Sequence, residues 1–464
     1  MNSGKKKDSK PKPGMSRKSF LSSTAMAAGG FMFVPRHVLG GKGYMAPSDR
    51  LNIACIGVGG MGASNTRSLA QLGENIYALC DVDEEYAAET FHNYPKAKKY
   101  TDFREMLDNE DEIDAVMVAT PDNTHTAIAI YAMKMGKHAF VQKPLTRTIY
   151  EARRMAQVAK ETGVATQMGN QGHRFEGTLK IVEWIRQGVI GDVTKVDCWT
   201  NRPRGYWPQG AEVKPADVIA VTPHTMHWDL WVGPSPYRPY DPAIAPFAWR
   251  GRWDYGSGSL GDMGAHIMDQ PYWALELGDA KTVQASSTPF NNEAFPLGSK
   301  VHYEFPARGN RPAVELTWYD GGLMPERPKE LEDGQPMGSA GGGMIFHGSK
   351  GKLMADVYGN NPRLIPVSRT KDAPAPKQTL PRTGEIHEEW VKAAKGNGKT
   401  SSNFEYAAAL TETMLLGNIA IRFSNKPQRL EWDAKNMRIT NLEEANQWLE
   451  ERKLFRPPYQ EIIG

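Results

Sequence analysis

Three features of the sequence predict an α/β chain of two domains: a parallel sheet covered on both faces, then an α+β domain with a large, mostly antiparallel open sheet. From Leu51 to Gly169, short apolar runs alternate with helical stretches. The first apolar run, LNIACIGV, ends in a glycine-rich turn that opens a helix. After Gly169 the alternation gives way to strand-like segments separated by long irregular ones. Strands alternating with helices of this length imply a parallel sheet between two helical layers, whereas successive strands suit an antiparallel sheet with one open face.

In order, LNIACIGV reads as a buried strand and GGMGASNTRSLAQL as the turn and its helix. NIYALCD is a strand, DEEYAAETFHNY a helix and IDAVMVAT a third strand. THTAIAIYAMKMG is helical, HAFVQKP a strand, and TIYEARRMAQVAKETG a helix that hands over to VATQMG. These elements define a first domain over residues 48–168. The second, over residues 169–464, begins with helical KIVEWIRQG and the strand VTKVDCWT. A Trp-rich insertion follows over residues 199–260, then strands KVHYEFPA, AVELTWYD, GGMIFHGS and KLMADVYG. The helical run 403–423 should pack against this domain. The polar stretches 325–343 and 374–384 read as long loops.

At 464 residues the chain is long enough for two sizeable cores. It is 40% hydrophobic and 23% charged, and its 56 basic and 53 acidic residues leave a formal charge of +3, which proposes neither nucleic acid nor a membrane surface as partner. Cys55 and Cys80 sit in apolar runs, as buried free thiols do, and with Cys198 they form no metal-ligand cluster. Residues 1–43 follow signal-peptide grammar: a basic start, an apolar run from Leu21 to Val34, and small residues from Gly40 to Gly43. The run is too short to span a bilayer, and nothing later approaches twenty apolar residues, so no membrane span is expected. Within it S-R-K-S-F-L resembles the twin-arginine export motif, with Arg17 present and Lys18 in the second place, and predicts a periplasmic or otherwise exported protein.

The turn after the first strand holds G-x-G-x-x-G as Gly57, Gly59 and Gly62, with Gly60 and Met61 between them. Glycines there let backbone amides approach a pyrophosphate at a helix N-terminus. The motif has a strand before it, a helix after it, and Asp81 closing the next strand 24 residues beyond Gly57. A carboxylate at that place accepts from ribose hydroxyls and repels a 2′-phosphate, so the domain reads as a Rossmann dinucleotide-binding domain for NAD rather than NADP.

VATPDNTHTAIAI, HAFVQKPLTRT and GSLGDMGAHIMDQPYWAL then follow in an order that resembles the Gfo/Idh/MocA family, named for glucose-fructose oxidoreductase, inositol dehydrogenase and rhizopine catabolism. The resemblance runs from about Asp49 through the Asp262 region and implies a sugar or cyclitol oxidoreductase. It implies that Thr120, Pro121, Asn123 and His125 stand beside the cofactor. The family's E-K-P is Gln142-Lys143-Pro144 here, with the lysine kept and the acid lost. The resemblance places Lys143 near the nicotinamide ribose and the substrate hydroxyl, where a fixed cation would stabilise alkoxide character. The family's D-x-x-x-H matches Asp262 and His266, which share one face if the stretch is helical. A histidine is a plausible base for the hydroxyl proton, and a neighbouring carboxylate can orient it. Asp269 could reach the same pocket.

MGNQGHRF occupies the domain junction, which in the resembled family faces the nicotinamide, so Asn170, Gln171, His173 and Arg174 are candidates for substrate hydroxyls. Seven of the twelve tryptophans lie between Trp199 and Trp273, and Trp228 is the candidate for stacking on a sugar face. No metal is predicted: His173, His224 and His227 could form a site, but no spacing demands one. Three functions compete. One is NAD-dependent oxidation of a ring hydroxyl with the cofactor tightly held and recycled in place. The second is an NAD-dependent glycosidase that oxidises transiently, eliminates, hydrates and re-reduces. The third is a noncatalytic sugar binder. A homo-oligomer through the broad second sheet is possible.

Overall fold

The computed structural model describes residues 49–215, 219–426, 428–449 and 455–464. The export-type segment 1–43 lies outside them. The first sheet begins with β1 (Asn52–Ile56), whose near-continuous burial suits a central parallel strand. It continues with α1 (Gly60–Gln71), β2 (Asn75–Cys80), α2 (Ala88–Asn93), β3 (Lys98–Tyr100), α3 (Phe103–Asn109), β4 (Ala115–Val118) and α4 (His125–Lys134). β5 (His138–Gln142), α5 (Ile149–Thr162) and β6 (Thr166–Gly169) complete it. The strand order is β3-β2-β1-β4-β5-β6 and every neighbour pair is parallel. The order reverses between β1 and β4, so a crevice opens at the carboxyl ends of those strands. α5 shows why its boundaries were legible. Thr148 and Glu151 form a reciprocal capping box at its start, and Gly163 ends it in the left-handed region at φ +67.

The second half opens with α6 (Glu176–Arg186) and β7 (Val193–Thr200). The short α7 (Trp228–Val232) lies in the Trp-rich insertion, and α8 (Gly258–Ile267) and α9 (Asp269–Leu275) follow it. Strands β8 (Thr282–Ser287), β9 (Ser299–Phe305), β10 (Val314–Tyr319), β11 (Gly342–Gly348), β12 (Gly351–Asp356) and β13 (Arg363–Ile365) come next. After α10 (Ile386–Ala394) and α11 (Phe404–Arg422) come β14 (Leu430–Asp433), β15 (Arg438–Ile439) and α12 (Tyr459–Ile463). The nine-stranded sheet runs β13-β12-β11-β7-β10-β9-β8-β14-β15, antiparallel except for the β10–β7 pair. Among the described residues no helix is long and apolar enough to cross a membrane.

One expectation needs correction. The helix expected over DEEYAAETFHNY shrinks to Ala88–Asn93. The Glu84 amide donates instead to Thr225 O at 2.9 Å, and the His227 amide to Val82 O at 2.8 Å, so pairing with the insertion competes successfully with local helix formation. The C-terminal helices, for their part, return to the first sheet. In α10, Ile386, Trp390 and Val391 share a core with Ile53, Cys55, Leu79 and Phe140, and the Trp390 indole donates to Ala165 O at 3.2 Å. α11 packs on α5 and β6 as well as on α8, β8 and β9, so it binds both sheets rather than the second alone.

Candidate active site

The turn after β1 is built for close approach. Gly57 has φ +76, and a side chain there would meet Thr120 and the Ala119 backbone at 2.8 Å. A Cβ on Gly62 would sit 1.7 Å from Gly57 O. Each position therefore excludes every other residue without backbone movement. Asp81 Oδ2 accepts from the Val58 and Gly59 amides at 2.7 and 3.2 Å, and its Oδ1 from the Asp83 amide at 3.0 Å. Burial raises this carboxyl to about 6, against those amides, which favour its charged form. The turn, Met61, Thr120 and Pro121 line a cleft of about 270 Å³. Its opposite wall is supplied by the insertion, through Trp231, Phe247 and Trp249. The exposed ring of Tyr86 lies across Gly59 and Gly60. Glycines that any Cβ would block, amides at the start of α1 and the acid after β2 fit a bound dinucleotide.

At one end of the cleft, Lys143 Nζ donates to Asp262 Oδ1 at 2.6 Å and to Asp262 O at 3.0 Å. Both side chains keep 13% exposure, so the pair is open to a ligand. Burial alone would raise Asp262, but the charges of Lys143 and Arg250 hold it down at about 2. Arg250 Nε lies 3.7 Å from the same oxygen. The Lys143 loop is stapled from behind by His125, whose ring nitrogens lie 3.0 Å from Pro144 O and 2.9 Å from Thr120 O. Burial lowers His125 to about 4, so the neutral ring donates to one of these carbonyls and braces the loop.

Gln142 also finds its reason. Its Nε2 donates to Asn65 Oδ1 at 3.1 Å, an oxygen that also lies 2.6 Å from His387 Nε2, while Asn65 Nδ2 donates to Met61 O. A glutamate at 142 would set a buried carboxylate against an acceptor.

His266 and Asp262 share α8, as their spacing required. Asp262 is nevertheless turned to Lys143, and His266 makes no hydrogen bond among the described residues; its Nδ1 is fully buried and unpartnered. Its ring meets Tyr358 edge to face, with centroids 4.6 Å apart. Burial, then the charge of Lys143, pushes His266 well below its ordinary value, which keeps the imidazole neutral with a free lone pair.

Other predicted residues lie elsewhere. Asn123 Nδ2 donates to Val232 O and Ser235 Oγ at 2.9 and 3.0 Å, anchoring the insertion instead of touching the cleft. His173 Nδ1 donates to Asp269 at 2.8 Å, and its ring stacks on Trp273 at 4.2 Å; both partners are sealed, at 0% and 1% exposure. Asp269 also accepts from Tyr406 at 2.6 Å, so it serves His173 rather than the Lys143 pocket. Asn170 is fully buried, Gln171 half-buried, and Arg174 donates to Pro381 O beside Glu389. Trp228 stacks on Trp231 at 4.6 Å and donates to Arg238 O, so it is Trp231 that faces the cleft. Among the described residues no three His, Cys, Asp or Glu side chains group as metal ligands.

The structure adds Asp122, Arg250 and Tyr358. Asp122 lines the cleft, accepts from Ser257 at 2.6 Å, and is raised by burial to about 7. It lay unread inside the TPDNTH motif. Tyr358 has φ +64, a rare conformation for a residue with a side chain. No local pattern marks it.

Comparison with known proteins agrees with this geometry. Residues 51–170 match the Gfo/Idh/MocA oxidoreductase family, NAD-binding Rossmann fold, and residues 179–308 match that family's C-terminal α/β domain. A glycosyl hydrolase family 109 protein of Shewanella pealeana is 29% identical over 232 residues, 42% of this chain and 51% of that protein. A second such protein, of Shewanella sp. strain ANA-3, is 33% identical over 32% of this chain and 35% of its own. The chain thus matches about half the length of these relatives or less. Among solved structures, the WlbA dehydrogenase of Bordetella pertussis, in complex with NADH and UDP-GlcNAcA, superposes with a TM-score of 0.58 at 16% identity, over 83% of this chain and 99% of that one. A levoglucosan dehydrogenase in complex with NADH gives 0.55 at 17%, over 82% and 99%. At these identities the likeness is one of fold.

Proposed function

The chain belongs to the Gfo/Idh/MocA oxidoreductase family, with an NAD-binding Rossmann domain, and from that premise we propose that it oxidises a ring hydroxyl of a sugar, glycoside or cyclitol with its NAD retained between turnovers. The observation that carries this reading is the open Lys143–Asp262 pair at the end of the glycine-loop cleft. Gly57 to Gly62 and Asp81 would hold NAD, which supplies a hydride acceptor for a ring C–H bond. Lys143 donates to the reacting oxygen as negative charge grows there, with Asp262 fixing its position. His266, neutral and with its Nδ1 buried, takes the hydroxyl proton at Nε2, the ring nitrogen that is not sealed. The hydroxyl proton and the C–H hydride leave together, and the ring carbon becomes a ketone. Trp231, Phe247 and Trp249 keep water from the site.

Retention is favoured by the insertion, which forms one wall of the cleft and is fastened to the β2 loop by backbone bonds at Thr225 and His227. With the export segment 1–43, this points to a protein that folds around its cofactor before transport. A second reading, a redox-neutral glycosidase, is favoured by the family 109 relatives. There the ketone acidifies the adjacent C–H, the aglycone leaves, water adds and the ring is reduced again. Denaturing the purified protein and weighing what dissociates tests retention; a nucleotide-free protein that needs added NAD would overturn it. Incubation with glycosides separates the two chemistries, because keto-sugar marks the first and aglycone without net redox marks the second.

A further inference from the structure

The reaction end of the cleft carries more positive charge than its own acids balance. Lys143 and Arg250 share Asp262 as their acid, at 2.6 and 3.7 Å. Asp122, the next carboxyl in the cleft, is buried and tied to Ser257. Arg202 forms no ion pair among the described residues; its one side-chain hydrogen bond goes to Asn201 Oδ1 at 3.1 Å. A chain of ring contacts through Tyr206 and Trp207 joins it to Phe247 in the cleft wall.

Both arginines sit over aromatic rings. The Arg202 guanidinium sits 3.0 Å from the centre of Tyr206, and that of Arg250 sits 4.4 and 4.3 Å from Phe247 and Trp249. Stacking occupies the faces of a guanidinium and leaves its in-plane N–H fork for a planar or tetrahedral anion. Tyr206 and Phe247 are each 44% exposed, and Trp207 joins them edge to face at 6.3 and 6.4 Å. Arg202, Tyr206, Trp207, Phe247 and Arg250 thus form one continuous rim, three rings between two cations. The cofactor pyrophosphate does not need this rim, because the amides at the start of α1 serve it.

We propose that this rim is an acidic-saccharide subsite: Arg202 and Arg250 bind a carboxylate, sulfate or phosphate group carried by the sugar, while Tyr206 and Phe247 stack on its rings. The assignment rests on the sugar-oxidising reading and narrows its substrate class. Matched pairs test it: a glucoside with its glucuronide, a galactoside with its galacturonide, and each glycoside with its 6-sulfate and 6-phosphate. The acidic member should react with kcat/KM about tenfold or more above its neutral partner, the scale of one charge-assisted contact. Arg202→Gln should erase that preference by lowering the acidic rate alone, Arg202→Lys should keep part of it, and nucleotide content should not change. Which acid gains most distinguishes uronide from sulfate and phosphate. Equal rates within every pair, or a Gln variant that slows both members alike, would overturn the subsite. If no sugar of any pair reacts, the proposed oxidation falls. Calorimetric titration of the same sugars then decides the subsite alone, tighter binding of the acidic members upholding it and indifference to charge ending it.

Discussion

Two base–aspartate pairs lie close together in this molecule and have opposite fates. Lys143–Asp262 bonds at 2.6 Å with both side chains partly open to the cleft. His173–Asp269 bonds at 2.8 Å and is sealed between Trp273 and Tyr406. Chemistry alone would have made the histidine pair the better acid–base unit. Access decides otherwise. A sealed pair can only brace the junction, whereas an open one can exchange its partner for a substrate oxygen.

The sharpest break in that comparison is Lys143→Met, which should lower turnover about 100- to 1000-fold, as loss of one preorganised donor does. Its thermal unfolding and nucleotide content should stay near the wild type, and a variant at full activity would remove the assigned chemistry. Asp269→Ala should instead cost about 3–5 kcal/mol of stability by stripping a buried partner. Its unfolding midpoint should fall while the pH profile of kcat, measured on the folded fraction, stays put. A shifted profile would mean that the sealed pair takes part in proton transfer.

The cleft also sharpens the contrast through pH. Asp122 binds its proton up to about 7 in the folded chain, against 3.8 for an ordinary aspartate. Its contribution is therefore full below about 4 and is lost as pH rises to about 7, with each pKa unit worth about 1.4 kcal/mol. Denaturant melts across that window should show stability falling, and Asp122→Asn should flatten the slope; an unchanged slope would place the titration elsewhere. Smallest is Gln142→Glu, which sets an acid against Asn65 Oδ1 and should cost about 1–3 kcal/mol. A stabilised variant would show that the buried amide chain behind the turn is not needed.

The sequence made the frame plain because its signals are local. β7 spans VTKVDCWT without a residue's error, and α5 carries its caps in its own letters. The Asp262 and His266 spacing rightly implied a shared helix, since helical periodicity needs no partner. What failed depends on distant contacts. Trp228 and Trp231 are equivalent as letters, and the turn of α7 against the first domain decides which one faces the cleft. Asn170 and His173 sit beside the junction in sequence yet are buried in it. Tyr358 follows the end of β12 and meets His266 of α8 only through the topology of the second sheet.

The return of α10 to the first sheet has a consequence in time. His387 bonds Asn65 across 322 residues of chain, and Trp390 bonds Ala165 across 225. At about 5–20 residues per second of synthesis, the glycine turn leaves the ribosome roughly 15–60 s before the helix that backs it. Until then the part of the apolar wall that Ile386, Trp390 and Val391 cover stays open. The nucleotide domain, first in the sequence, is completed only once α10 has been made.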